Sequence, residues 1–104
     1  MKRFEIWLVM KNPGQARVVD NLGLCVIITP KELIDLPSIM VAPMTTSSAN
    51  LPSRIGFDFE NTKGYIMVDQ IRAVEKSSFI KKLGELEREI QINLCDCVQE
   101  FFAL

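Results

Sequence analysis

The chain has 104 residues, 48% of them apolar and 24% charged, and a formal net charge of −1. That size gives one domain, residues 1–104, with enough apolar material for a real core. The near-neutral charge excludes a globally basic nucleic-acid clamp but leaves room for a local basic patch, and no run of eighteen apolar residues is present to cross a membrane.

Phe4 to Met10 is a seven-residue run of β-formers and predicts a strand buried mainly on one face. Lys2 and Arg3 precede it, but Lys11, Asn12 and Pro13 end the apolar run too early for a cleaved leader. Asn12-Pro13-Gly14 is turn chemistry, and Gln15 to Leu22 reads as a mobile loop. Leu24 to Thr29 is continuously apolar between Gly23 and Pro30, as expected of a central strand buried on both faces. Thr29 and Pro30 predict a capped short helix that ends before Pro37. Ser38 to Met44 is a further strand, with Pro43 expected at an edge or bulge.

Thr45 to Asn50 is a hydroxyl-rich loop, readable as plain surface or as hydroxyls and backbone N–H groups facing a phosphate. Ser53 to Phe59 alternates, with Ile55, Phe57 and Phe59 on one face and Arg54 and Asp58 on the other, before a hairpin connection at Glu60 to Gly64 and a strand at Tyr65 to Val68. Glu75 to Gly84 reads as a linker with at most one helical turn. From about Glu87 to Phe102, Leu86, Ile90, Leu94, Cys97 and Phe101 recur at steps of three or four and predict a helix. Its extra apolar residues, Ile92, Cys95, Val98 and Phe102, imply deep packing or a subunit interface. These elements predict a mainly β protein with α: a small, twisted β-barrel with a C-terminal helix against it.

Chemistry is constrained by the absence of histidine. Cys-His and Ser-His-Asp nucleophiles and most zinc sites are removed, so no metal or cofactor is expected. Acid–base work falls to carboxylates, lysines, arginines, a tyrosine or hydroxyls. The three cysteines, Cys25, Cys95 and Cys97, give no disulfide framework and fit a reducing cytosol, with Cys25 a core residue. The stretch Gly64 to Val74 ends a β run with Asp69, Gln70 and Arg72. It is either a solvated turn with an Asp–Arg ion pair or a rigid base for chemistry.

Several pieces in order resemble the MazF/PemK/Kid family of toxin endoribonucleases. They are Lys2 to Val9, Asn12-Pro13, Cys25 to Pro30, Val41 to Thr46, Gly64 to Val74 and Ile80 to Gly84. Together they cover essentially the whole chain. The resemblance implies an SH3-like barrel, a homodimer, metal-independent cleavage of single-stranded RNA in the cytoplasm, and a cognate antitoxin that blocks the RNA groove. It implies a reaction in which the ribose 2′-OH attacks the neighbouring phosphate, with Asp69 as the carboxylate base and Thr45 on the phosphate. Thr46, Arg17, Arg54, Gln70 and Arg72 are the implied RNA contacts.

The sequence departs from the family where many members carry an Arg-Pro pair before the central strand; here those positions are Gly23 and Leu24. A second family arginine, two residues before the aspartate, is Met67. Arg17, Arg54 and Arg72 are the possible replacements. The departure leaves two alternatives to a fully active nuclease: a weakened or inactive relative that binds antitoxin or RNA, and a CcdB-like gyrase poison on the same fold.

Overall fold

The computed structural model describes residues 1–12, 21–46 and 54–103. Pro13, Gly14, Arg17 and the hydroxyl loop beyond Thr46 lie outside the described residues. Seven strands and a helix follow in order: β1 (Glu5–Met10), β2 (Leu22–Ile27), β3 (Ser38–Thr45), β4 (Arg54–Phe59), β5 (Thr62–Met67), β6 (Arg72–Glu75), β7 (Phe79–Glu85) and α1 (Arg88–Phe101). The sheet is antiparallel and runs β4-β5-β3-β2-β1-β7, with β6 also paired to β3. It curls into a half-barrel.

The alternation of β2 divides the interior in two. Val26 points into a cluster with Ile6, Ala42, Met44, Phe57, Ile66 and Leu94, and so beneath the helix. Cys25 and Ile27 point the other way, against Val9, Ile39, Val41, Val74 and Phe79. β2 is thus the central strand expected, buried on both faces, although it begins two residues earlier and ends at Ile27. Cys25 is a buried core residue with a free thiol.

Four local expectations are corrected. Pro43 is not at an edge: it faces Cys25 in an interior strand. On its other flank β3 changes partner between Val41↔Arg72 and Met44↔Ile66, so the missing N–H falls at a break in that ladder. Thr29 does not cap a helix; its buried hydroxyl accepts the Met40 N–H at 2.7 Å, and only a 3-10 turn, Lys31–Leu33, follows. The β4–β5 connection is two residues, Glu60 and Asn61, with φ of 49° and 63°. Positive φ at both central positions is the turn whose twist matches a hairpin.

The fourth correction is the largest. The supposed linker, Glu75 to Gly84, holds most of β7, which lies beside β1, and it follows directly on β6. Its Lys81-Lys82 pair disguised it as polar chain. Lys82 instead reaches the buried Glu5 carboxylate at 3.1 Å, which also accepts the Trp7 indole N–H at 2.9 Å and the Lys2 backbone N–H at 3.0 Å. Register shifts along β1–β7 erase a clean alternation.

The helix lies where periodicity put it, with Leu86 and Leu94 buried and Ile90, Cys97 and Val98 packed against the first cluster. Its end is not deeply packed: Phe101 and Phe102 are 48% and 64% exposed, their rings edge to face. No helix among the described residues is long and apolar enough to cross a membrane.

Candidate functional site

The site is built around β3. Its first half pairs with β6 and its last two residues with β5, on the same flank. The chain passes from β5 to β6 through a 3-10 turn, Val68–Gln70, anchored by the buried Val68. Gly64, which opens this stretch, admits a close approach: a Cβ there would overlap the Thr45 carbonyl oxygen and come 3.0 Å from the Phe57 ring. The glycine therefore lets β5 press against the end of β3 and set where Thr45 stands.

A groove of about 510 Å³ opens beside this junction. Lys11, Asn12 and Gly23 line it from one side, Thr45, Gln70 and Arg72 from the other, over a floor of Leu24, Cys25, Pro43, Met44 and Met67. No carboxylate is among its described lining residues. Gly23 and Met67, where the family resemblance leads one to look for arginine, both face this groove. Arg72 Nη1 donates to the Lys11 carbonyl at 3.2 Å, tying the two walls together. The Lys11 N–H donates to the Asn21 carbonyl at 2.7 Å. Asn12 donates its N–H to Asn21 Oδ1 at 2.9 Å and accepts from Asn21 Nδ2 at 3.2 Å. The buried Asn21 thus fixes the backbone of the Lys11 wall.

The remaining expected residues separate from this group. Asp69 lies 3.6 Å from Arg54 Nε, with side-chain exposures of 28% and 12%. Arg54 lines a depression with Asn93, Asp96 and Glu100 of α1, so this pair belongs to the helix side of the sheet. The ion pair expected for the turn exists, but its cation is Arg54 on β4 rather than Arg72. Arg54 Nε is buried with no hydrogen-bond partner among the described residues, so the aspartate's charge compensates it across a slightly long gap. Thr46 lines a third depression, of about 620 Å³, where Asp58, Glu87 and Glu89 outnumber the one cation, Lys63, a net negative setting poorly suited to an anion. Arg17 is outside the described residues.

Lys11 and Asn12 are the lining residues that sequence reasoning missed. Lys11 drew notice only as the end of an apolar run. No local pattern marks it, because its place over Gly23 depends on strand pairing. Burial raises the Cys25 thiol pKa, and the Arg72 and Lys11 charges oppose the rise. Among the described residues, no cluster of three or more Cys, Asp or Glu is gathered to hold a metal ion.

The half-barrel is backed by one helix and carries a groove lined by two cations at a strand junction. The chain belongs to the PemK-like, MazF-like toxins of type II toxin–antitoxin systems, whose family model matches residues 2–102. Its fold is similar to that of MazF from Deinococcus radiodurans, at a TM-score of 0.81 and 10% identity over 100% of this chain and 97% of that one. The Mycobacterium tuberculosis toxin MazF-mt6 is similar at 0.77 and 18% identity, covering 94% and 95%. A mycobacterial endoribonuclease in complex with its cognate antitoxin is similar at 0.79 and 14% identity, covering 96% and 92%. A search of curated proteins finds no match to this sequence.

Proposed function

We propose that this chain is the toxin of a type II toxin–antitoxin pair and cleaves single-stranded RNA at short sequences without a metal ion. In this reading it is cytoplasmic, acts as a homodimer and is held in check by a cognate antitoxin. Family membership supports the class, and two fold relatives, an endoribonuclease in complex with its cognate antitoxin and a MazE–MazF pair, support the partner. The observation that carries the reading is the groove: the Thr45 side chain stands with Gln70 and Arg72 over a floor without carboxylates, a setting for a phosphodiester.

The reaction forms a bond between the ribose 2′-oxygen and the neighbouring phosphorus and breaks the bond from phosphorus to the 5′-oxygen. The 5′-oxygen leaves with a proton from solvent water, so the products are a cyclic phosphate and a 5′-hydroxyl. Asp69, which directly precedes the groove residue Gln70, takes the 2′-OH proton; its side chain rests on Arg54 on the helix side, so this role requires the Val68–Gln70 turn to swing it into the groove when RNA binds. Thr45 contacts the phosphate through its hydroxyl and backbone N–H, and Arg72 offsets the charge that builds on the phosphate oxygens. Thr46 and Arg17 are RNA contacts of lesser weight.

The test is incubation of purified protein with mixed-sequence single-stranded RNA in EDTA, with the ends of the products analysed. Fragments with cyclic phosphate and 5′-hydroxyl ends are expected, and Asp69→Ala and Thr45→Ala should lose them while keeping the wild-type circular dichroism. Equal cleavage by wild type and Asp69→Ala removes Asp69 as the base. Intact RNA with antitoxin binding preserved identifies a binding module instead, and inhibition of gyrase supercoiling identifies a gyrase poison.

A further inference from the structure

We infer that Lys11 supplies a second positive charge, beside Arg72, to the phosphate in this groove, and that the small Gly23 leaves the space in which the lysine stem lies. The inference rests on the reading of the groove as a phosphodiester site. Three observations carry it. A Cβ built on Gly23 would stand 3.0 Å from Lys11 Cε and 3.5 Å from Lys11 Cγ, so the lysine stem occupies the space that a side chain at position 23 would fill. Lys11 lines the same groove as Thr45, Gln70 and Arg72, facing them from the opposite wall. Its backbone is fixed by the bonds from Arg72 and to Asn21, so the stem starts from a defined point.

The electrostatics single out this groove. The depressions lined by Thr46 and by Arg54 carry Glu87 and Glu89, and Asp96 and Glu100, respectively. The Lys11 groove has two cations and no described carboxylate on its walls. Arg72 spends a guanidinium N–H on the Lys11 carbonyl, and the Lys11 ammonium is carried on an exposed side chain. Two cations on opposite walls can share one phosphate, the lysine as a point charge and the arginine as a fixed fork.

The test uses a random-sequence single-stranded 2′-O-methyl oligonucleotide, which lacks the attacking hydroxyl, beside the same RNA unmodified. Binding is followed by fluorescence anisotropy across a salt series, and cleavage by product formation. Lys11→Gln should lower the slope of log affinity against log salt by about 0.7, one phosphate contact on a single strand, and slow cleavage by about 100-fold or more. Lys11→Arg should retain most of both. Gly23→Arg in a Lys11→Ala background places a cation in the vacated space and should recover part of the slope and rate, which loss of a merely structural lysine would not allow.

If wild type cleaves RNA and Lys11→Gln matches it in slope and rate, the lysine assignment is overturned and the nuclease reading stands. If wild type binds the oligonucleotide but leaves RNA intact, the nuclease reading falls, and the slope alone decides for or against Lys11. If wild type binds no oligonucleotide at all, both fall.

Discussion

The stretch Gly64 to Val74 serves two regions of the molecule that look alike in sequence and differ in chemistry. Gln70 and Arg72 turn toward β2 and β3, into a groove whose described walls carry cations, amides and the Thr45 hydroxyl but no carboxylate. Asp69, between strands in the same turn, faces Arg54 and the acidic side of α1. A 3-10 turn makes this division, because three residues per turn send successive side chains about a third of a circle apart. The difference teaches that proximity in sequence does not decide which side of a sheet a residue serves. Arg72 donates to the Lys11 carbonyl, while the carboxylate it would be paired with on paper rests on Arg54.

Substitutions can break this comparison or sharpen it. The largest expected effect is Asp69→Ala, which should lower RNA cleavage by about 100- to 10,000-fold if Asp69 is the base. Arg54→Ala then asks whether the helix-side pair matters to the groove. It should cost less activity than Asp69→Ala, because it frees the carboxylate from its partner without removing it. A cleavage rate equal to wild type would leave the two regions functionally separate. On the groove side, Gly64→Ala should displace the end of β3, since the new methyl overlaps the Thr45 carbonyl. Turnover should fall together with the thermal midpoint, and a variant with unchanged turnover would show that Thr45 need not be set so closely.

Leu94→Ala, in the cluster that joins the helix to the sheet, is expected to cost about 2–5 kcal/mol in denaturant unfolding. A loss under about 1 kcal/mol would mean that the helix is not anchored there. The smallest effect concerns Glu5. Burial works to raise its carboxyl, but the Trp7 indole, the Lys2 backbone N–H and Lys82 together hold it below its ordinary value of 4.5. A folded-state value below the unfolded one gives stability that is present above the unfolded value and lost as pH falls through the folded one. Thermal midpoints between neutral pH and acid should therefore fall in wild type, and Glu5→Gln should flatten that limb. Parallel curves would remove Glu5 as the source.

What was legible in the sequence was whatever a local pattern encodes. The β2 run from Cys25 to Ile27 is apolar at every position because both faces are covered, and the 3.6-residue spacing of Leu86, Ile90 and Leu94 fixed the helix. The ordered pieces spread along the chain marked the family, and Thr45, Gln70 and Arg72 were singled out and do share one groove. β7 was not legible: a strand with bulges and two lysines has no period, and only its pairing with β1 makes it one.

Lys11 was illegible for a related reason. Its importance depends on Gly23, twelve residues on, which β1–β2 pairing brings to its side. Sequence determined β1 to β5 and the helix. Tertiary structure alone decided which cations share a groove and which carboxylate is turned away from it, because pairing register and the twist of the sheet, not chain distance, set which side chains meet.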